Sequence, residues 1–346
     1  MKYRLNQLPV KTTNGFKIND VELDLSLPKL HMNHEFVFEG DISSLKIQKQ
    51  LVQKHESSKI GLEYDEYYDI QICIPKGIQI EKPVFIHYYF EEKDSLYSKI
   101  TFHYEEDSSC HFIMMMESND SSSHFNHLVE KVVSNKNSQG TITYINLLNK
   151  NSLSFYALEN DVLEQATTTH TIVDLGGKTR VYNVYSNASG EKSSNILNTI
   201  YVGKNDFLLD FNYYLNNIGC DSHNQMRVEG VLDDTCQKNF RGTIDFVKGC
   251  TNAIGEENEN CILLSDTCRS RSLPQMLCGE ESVIGTHGVS SGKVAEEKLF
   301  YLMSRGLSFK EAEQMIVMGN FMSLLNVIPQ LEIQERLFSA IEELLM

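Results

Sequence analysis

The feature that most constrains the fold is a run of short strand-like segments that fills residues 66–292 without a convincing amphipathic helix. Apolar and polar residues alternate there with a period of two, which is typical of strands. The clearest segments are Asp69 to Ile74, Lys99 to Tyr104, Gly140 to Leu147, Thr179 to Tyr185, Phe207 to Tyr213 and Gly242 to Val247. So many strands must close into a barrel, a sandwich or a solenoid such as a parallel β-helix, because open sheet edges are hazardous. Alternation alone does not choose among these architectures.

Two flanking regions have a different pattern. Residues 1–65 are mixed, with a possible helix at Ser43 to Gln53, and residues 293–346 are predicted to form a helical C-terminal domain. Ser308 and Glu311 have the spacing of a capping box, and Pro329 separates two helices. The apolar faces predicted for these helices are Ala312, Met315, Ile316 and Gly319, then Leu337, Phe338, Ile341, Leu344 and Leu345. We expect the helices to pack on the end of the strand domain or on a partner.

Composition narrows the class of protein. The formal net charge of −16 disfavours a nucleic-acid partner, because an acidic chain repels phosphate backbones. No segment has the roughly 20 apolar residues of a membrane helix, and the polar start does not resemble a signal peptide. A cytosolic location with reduced thiols is therefore expected. The eight cysteines include no C-x-x-C pair, so a zinc ribbon is not predicted.

Several apparent motifs have simpler interpretations. Gly176 to Thr179 resembles the end of a phosphate-binding loop, but the earlier glycine is missing and more strand follows, so a tight turn is favoured. His124 and His127 are separated like metal ligands, yet their serine-rich surroundings favour a solvated loop. His223 lies in a polar turn with no obvious partner.

The most informative stretch runs from Phe240 to Phe321 and resembles the SufB/SufD family of iron–sulfur cluster assembly proteins. The family pattern has phenylalanine-basic-glycine, a leucine-rich strand ending in serine, a proline thirteen residues before His-Gly, then Phe-Tyr-Leu and Ser-Arg-Gly. The matching segments here are Phe240-Arg241-Gly242, Ile262 to Ser265, Pro274, His287-Gly288, Phe300-Tyr301-Leu302 and Ser304-Arg305-Gly306. A looser match covers Ile74 to Gly77 and Glu81 to Pro83.

This resemblance implies a mainly β fold, with a right-handed parallel β-helix core and an α-helical C-terminal domain. It also implies a scaffold for a transient iron–sulfur cluster, not an enzyme in its own right. The C-terminal helices would bind a SufC-like ABC-type ATPase. The chain would pair with itself as a homodimer or with a second SufB/SufD-type subunit, and no nucleic acid or membrane would take part.

Two residues carry over to the cluster and metal site: Cys268 occupies the position of the essential cysteine in the SufB branch, and His287 that of the family histidine. They are nineteen residues apart, about one β-helix turn, so we expect the thiolate and the imidazole to stack on one face. We expect Arg269 and Arg271 to favour the thiolate. In family heterodimers the two ligands come from different chains.

Other interpretations stay open. Cys268, Cys261 and Cys278 could be small core residues, and His287 an ordinary loop histidine. The residues that depart from the family pattern are Glu257, Leu277, Gly285 and Gly288. The chain could therefore be a SufD-like structural subunit without an essential cysteine. A β-helix carbohydrate-active enzyme is the alternative from another class, although no repeated row of carboxylates indicates a substrate groove.

Overall fold

A computed structural model describes residues 1–12 and 14–345 of the chain. It is a parallel β-helix, and this confirms the solenoid among the architectures that the alternation allowed. The strands of the first nine-stranded sheet are β4 Lys46–Ser57, β5 Glu63–Ile74, β7 Ser95–Tyr104, β9 Phe125–Ser134, β11 Leu153–Val162, β13 Thr179–Ala188, β15 Leu208–Asn217, β17 Gln237–Phe246 and β19 Arg269–Cys278.

The second nine-stranded sheet faces the first across the interior. Its strands are β3 Val37–Glu39, β6 Val84–Phe90, β8 Ser109–Ser118, β10 Gln139–Leu147, β12 Thr167–Asp174, β14 Ser194–Gly203, β16 His223–Leu232, β18 Ile254–Leu263 and β20 Ile284–Gly292. The chain alternates between the sheets, so each strand from β7 onward lies parallel on the strand two before it. Leu153 pairs with Thr179 and Gln237 with Arg269, so one turn takes between 26 and 32 residues.

One line of turns repeats the same backbone conformation along the β-helix. A single residue in each turn is left-handed, with φ between +53° and +60°, and these residues are Asp107, Asn137, Gln165, Lys192, Asp221 and Asn252. Each of their N–H groups donates to a carbonyl of the next turn at 2.6–3.1 Å. Asn and Asp tolerate this conformation better than other non-glycine residues, which explains why they dominate the series.

The interior between the sheets is filled by aromatic and aliphatic side chains from every turn. Tyr144 stacks on Tyr156 with ring centroids 4.4 Å apart. Several of the interior's buried polar groups are paired: the Tyr156 hydroxyl donates to Glu130 at 2.8 Å, and Arg180 binds Asp174 at 3.2 Å. Such pairing is needed because an unpaired polar group in this interior is costly.

The N-terminal segment covers the outer face of the first sheet. Its elements are β1 Lys2–Leu5, the 3₁₀ turn Asn14–Phe16 and β2 Val21–Asp24, and its apolar residues pack on outward-facing residues of that sheet. Arg241 anchors the segment: it donates to the Ile18 carbonyl and forms a buried ion pair with Asp210 at 2.6 Å. Asn6 donates to the same Asp210 carboxylate at 2.9 Å. This explains the basic residue of the Phe-Arg-Gly motif as a structural one.

Three C-terminal helices of the described chain cover the outer face of the second sheet. They do not pack on the end of the strand domain, which was one of the two expected arrangements. The helices are α1 Glu296–Ser304, α2 Phe309–Leu325 and α3 Leu331–Leu345. The capping box of Ser308 and Glu311 is confirmed, and Pro329 lies between α2 and α3. They share one apolar cluster with outward-facing residues of β8 to β18.

The predicted apolar face of α2 is only partly right. Ala312 is buried, but Met315 and Gly319 are exposed. The residues that α2 buries are Ala312, Val317, Phe321, Leu324 and Leu325. The face predicted for the last helix is confirmed, because Leu337, Ile341 and Leu345 are buried.

Other sequence-based expectations fail for reasons of tertiary structure. Residues Ser43 to Gln53 are not helical, because Lys46–Ser57 pairs antiparallel with β5. His124 and His127 are buried instead of solvated, and burial lowers the pKa of His127 to about 3. His223 has a partner, Glu256, at 3.3 Å. The turn at Gly176 and Gly177 is confirmed, since it joins β12 to β13 and Gly177 has φ +91°.

Candidate functional site

The last turn of the β-helix carries both predicted site residues. Its strands β19 and β20 end their sheets, so among the described residues each has one edge without a neighbouring strand. Strand alternation directs every second side chain into the interior. The interior residues of β18, which are Gly255, Glu257, Glu259 and Cys261, lie under Gly285, His287, Val289 and Ser291 of β20. The open end is thus lined by residues of this last turn.

Cys268 lies at the corner before β19 and faces the interior. It is 8% exposed, belongs to the interior apolar cluster, and its thiol donates to the Ser265 carbonyl at 3.0 Å. Burial raises the pKa of the Cys268 thiol above its ordinary value. The expected effect of Arg269 and Arg271 is absent, because alternation points them to the outer side, where Arg271 binds Asn239. A bound metal would therefore have to provide the drive for deprotonation.

A second cysteine lies directly beneath Cys268. The tripeptide Asp-Thr-Cys occurs at residues 234–236 and again at 266–268, one turn later. Gln237 pairs with Arg269, and the Arg269 N–H donates to the Cys236 carbonyl at 2.9 Å, so Cys236 and Cys268 are equivalent positions of successive turns. Cys236 is fully buried. The repeated tripeptide is the sequence signal that indicates this second cysteine.

His287 lies in β20, paired in register with Glu257 of β18. Its side chain is exposed at the open end. The expectation that Cys268 and His287 stack in adjacent turns of one sheet is wrong. One turn at this end takes 30–32 residues, not nineteen, and the two residues belong to different sheets.

The two predicted ligands are separated along the open end. Cys261 and Cys268 belong to the same interior cluster, and Cys261 pairs with Ser291. Ser291 lies four residues beyond His287, which at about 3.3 Å per residue is roughly 13 Å along β20. Within the described part of the chain, no group of three histidine, cysteine or acidic side chains is arranged to hold a metal ion. One chain alone does not bring the thiol and the imidazole together.

Buried ionisable side chains lie beneath the open end of the β-helix, and the sequence did not predict them. Lys238 and Glu259 form an ion pair in which both side chains are fully buried, and Lys238 also donates to Ser272 at 2.9 Å. Glu257 is fully buried, and neither of its carboxyl oxygens has a hydrogen-bond partner among the described residues. Burial, with the nearby Glu259 charge, raises the pKa of Glu257 to about 8.

Gly242 explains how Glu257 is accommodated. A Cβ atom at Gly242 would overlap the Glu257 carboxyl group, so only glycine leaves room for it. The glycine of the Phe-Arg-Gly motif is therefore a packing requirement of the interior. Sequence alone offered only the departure from the family pattern at Glu257 as a signal.

Comparison with known proteins identifies the family. A family model described as "SUF system FeS cluster assembly, SufBD core domain" matches residues 88–320, more than half of the chain. The chain belongs to the SufB/SufD family. The family that the resemblance implied is thereby confirmed, as the strand pairing confirms the β-helix, and the assembly interpretation is favoured over the carbohydrate-active alternative.

Similar curated proteins come from both branches of the SufB/SufD family. Iron–sulfur cluster assembly protein SufD of Bacillus subtilis is 24% identical over 351 residues, which cover 92% of this chain and 76% of that protein. SufD of Escherichia coli is 27% identical over 51% of this chain and 42% of its own length. SufB of Bacillus subtilis is 20% identical over 82% of this chain and 63% of its own length. Among the described residues, no helix is both long and apolar enough to cross a membrane.

Proposed function

We propose that this chain is a scaffold on which an iron–sulfur cluster is assembled, with iron and sulfide as its cargo. The observation that carries the proposal is the open last turn, where an interior thiol, Cys268, and an exposed imidazole, His287, lie at the end of a SufB/SufD core. Thiolates with occasional imidazoles are the ligands that iron–sulfur clusters use. The chain would act in the cytosol, where thiols stay reduced.

The separation of the two ligands supports assembly between two chains. The unpaired edges of β19 and β20 provide backbone groups that seek a partner. In a closed two-fold dimer, Cys268 of one protomer would approach His287 of the partner subunit, and two equivalent sites would form. A second SufB/SufD-type subunit could take the partner's place. We favour the homodimer because this chain carries both residues.

Anaerobic reconstitution with iron and sulfide tests the ligand role. We expect Cys268→Ala to lose sulfide-to-iron absorption while remaining folded, because truncating a small core residue costs about 1–3 kcal/mol. Cys236→Ala is the matched control, since it removes the equivalent thiol one turn below. A Cys268→Ala protein that assembles a cluster as the wild type does contradicts the ligand role.

Complementation tests the dimer. Coexpressed Cys268→Ala and His287→Ala chains should regain one intact site per mixed dimer if the ligands come from opposite chains. A mixed dimer that never regains activity would place both ligands within one chain. A stable monomer by light scattering, in the presence of the ATPase, would refute the homodimer.

The C-terminal helices are the proposed docking surface for a SufC-like ATPase. Phe300 is 75% exposed and Tyr301 is 56% exposed, although both are large apolar side chains. Removing all three helices would uncover the apolar outer face of the second sheet. A truncated chain that failed to bind the ATPase could therefore have lost either its docking surface or its fold. Phe300→Glu should instead abolish capture of a purified SufC-like ATPase and leave thermal unfolding unchanged. Phe16→Glu, also at an exposed phenylalanine, is the control, and equal capture by both variants contradicts this docking surface.

A SufD-like structural role is the second candidate. The raised pKa of the Cys268 thiol favours it, because a buried neutral thiol is also an ordinary core residue. In that case Cys268→Ala would assemble clusters normally when paired with a separate SufB-type chain. The reconstitution assay therefore separates the two candidates.

A further inference from the structure

Cys236 and Cys268 form a stacked pair of thiols in the last two turns of the β-helix. The Asp-Thr-Cys repeat and the register of β17 with β19 place them at equivalent positions, facing the same interior. Neighbouring parallel strands lie about 4.8 Å apart, which is therefore the expected Cα separation of the two cysteines. Disulfides need a Cα separation of roughly 4.4–6.8 Å. The spacing expected for these two turns falls within this range.

The two thiols differ in access to solvent. Cys268 is 8% exposed at the open end, whereas Cys236 is fully buried beneath it. Both side chains belong to the same interior cluster, and the Arg269 N–H bond to the Cys236 carbonyl fixes the two cysteines at equivalent positions of successive turns. A small oxidant can therefore reach Cys268 first, and Cys236 lies where a resolving thiol is needed.

Cys261 is the competing partner, but its environment differs. It belongs to the opposite sheet and lies beside the Tyr201 hydroxyl and Lys238, where it fills the interior under Ser291. It has no register relation to Cys268, because β18 pairs with β16 and β20. The strand register therefore favours Cys236 over Cys261 as the partner of Cys268.

We propose that Cys236 and Cys268 form a reversible disulfide when a low-molecular-weight disulfide, such as oxidised glutathione, reaches the open end. The disulfide would join two successive turns and would withdraw Cys268 from cluster assembly. Only this second consequence rests on the proposed function. The disulfide itself depends on the geometry of the two turns.

The chemistry is ordinary thiol–disulfide exchange. The Cys268 thiolate attacks the small disulfide, and one thiolate leaves as a mixed disulfide forms. The Cys236 thiolate then attacks the Cys268 sulfur, and the second small thiolate leaves. Two protein thiols are oxidised, one small disulfide is reduced to two thiols, and the two cysteine protons go to solvent or to the leaving thiolates. Excess dithiol reverses both steps.

Peptide mapping of the oxidised full-length protein tests the pair. The cluster-free protein is incubated with oxidised glutathione, remaining thiols are alkylated, and the protein is cut before aspartate and after lysine and arginine. This digestion separates Cys261 from Cys268, because Asp266 lies between them. We expect peptide 234–238 joined to peptide 266–269, lost on treatment with dithiothreitol. A lasting glutathione adduct on Cys268, a link from Cys268 to Cys261, or an unmodified Cys268 would each overturn the proposal.

Matched variants keep the test specific. Cys236→Ser should leave Cys268 as the glutathione adduct, whereas Cys261→Ser should form the 236–268 link as the wild type does. Loss of the link in Cys261→Ser would overturn the assignment of the pair. Because this readout needs no cluster, it is independent of the proposed function. If the link forms but the oxidised protein still assembles a cluster, the ligand role of Cys268 fails and the disulfide stands.

Discussion

The buried carboxyl group of Glu257 should make the stability of this protein depend strongly on pH. Glu257 lies under the last turn, fully buried and without a hydrogen-bond partner among the described residues. Its pKa rises from the usual 4.5 to about 8, mainly because burial disfavours the charged form, and the Glu259 charge adds to this. We predict that Glu257→Gln, which keeps the shape but removes the ionisation, stabilises the protein at neutral and alkaline pH.

The direction and size of this pH effect follow from the difference between the pKa of Glu257 in the folded and unfolded states. The folded state holds the Glu257 proton more tightly than the unfolded chain, so folding stability is unaffected below about pH 4.5 and falls as pH rises toward 8. A shift of one pKa unit corresponds to about 1.4 kcal/mol, so the loss reaches about 3 kcal/mol at pH 7 and about 5 kcal/mol well above pH 8. Glu257→Gln should remove this loss.

Urea unfolding of the wild type and Glu257→Gln at pH 5, 7 and 8.5 measures the effect. The free energies of unfolding should nearly agree at pH 5, and the variant should be increasingly more stable as pH rises, by about 3 kcal/mol or more at the higher values. Glu256→Gln is the control, because Glu256 faces outward and binds His223. Parallel pH profiles for wild type and Glu257→Gln would refute the reasoning, because they would mean that Glu257 titrates alike in the folded and unfolded states.

Three further predictions concern the β-helix itself. Gly230→Ala should lower the free energy of unfolding by about 1–3 kcal/mol, because the added Cβ would overlap the ring of Tyr201; an unchanged urea midpoint would contradict this. Arg241→Met should cost about 3–5 kcal/mol in the same assay, since it leaves the buried Asp210 carboxylate without its cation, and a neutral result would mean that the ion pair is dispensable. Lys192→Asn should raise the melting temperature slightly, because asparagine tolerates the left-handed turn position better; a fall would indicate that the lysine side chain stabilises the turn.

The sequence predicted the local features of this protein, because these features depend on residues that are neighbours in the chain. Period-two alternation predicted the strands from Asp69 to Val247, and the spacing of Ser308 and Glu311 predicted a helix start, which the capping box confirms. The motifs between Phe240 and Phe321 indicated the family, which the family model confirms. These signals need no knowledge of what packs against what.

Only the tertiary structure decided which strands stack and what faces the interior. One turn takes 26–32 residues, and the alternation of apolar and polar residues within a strand does not indicate this length. The prediction of a nineteen-residue turn was therefore wrong, and it did not show that Cys268 and His287 are separated. The strand at Lys46–Ser57 and the buried His127 likewise depend on partners far away in sequence. The alignment of Cys236 beneath Cys268 follows from the register of β17 with β19, because register is set by the pairing of whole strands and not by the residues of either strand alone.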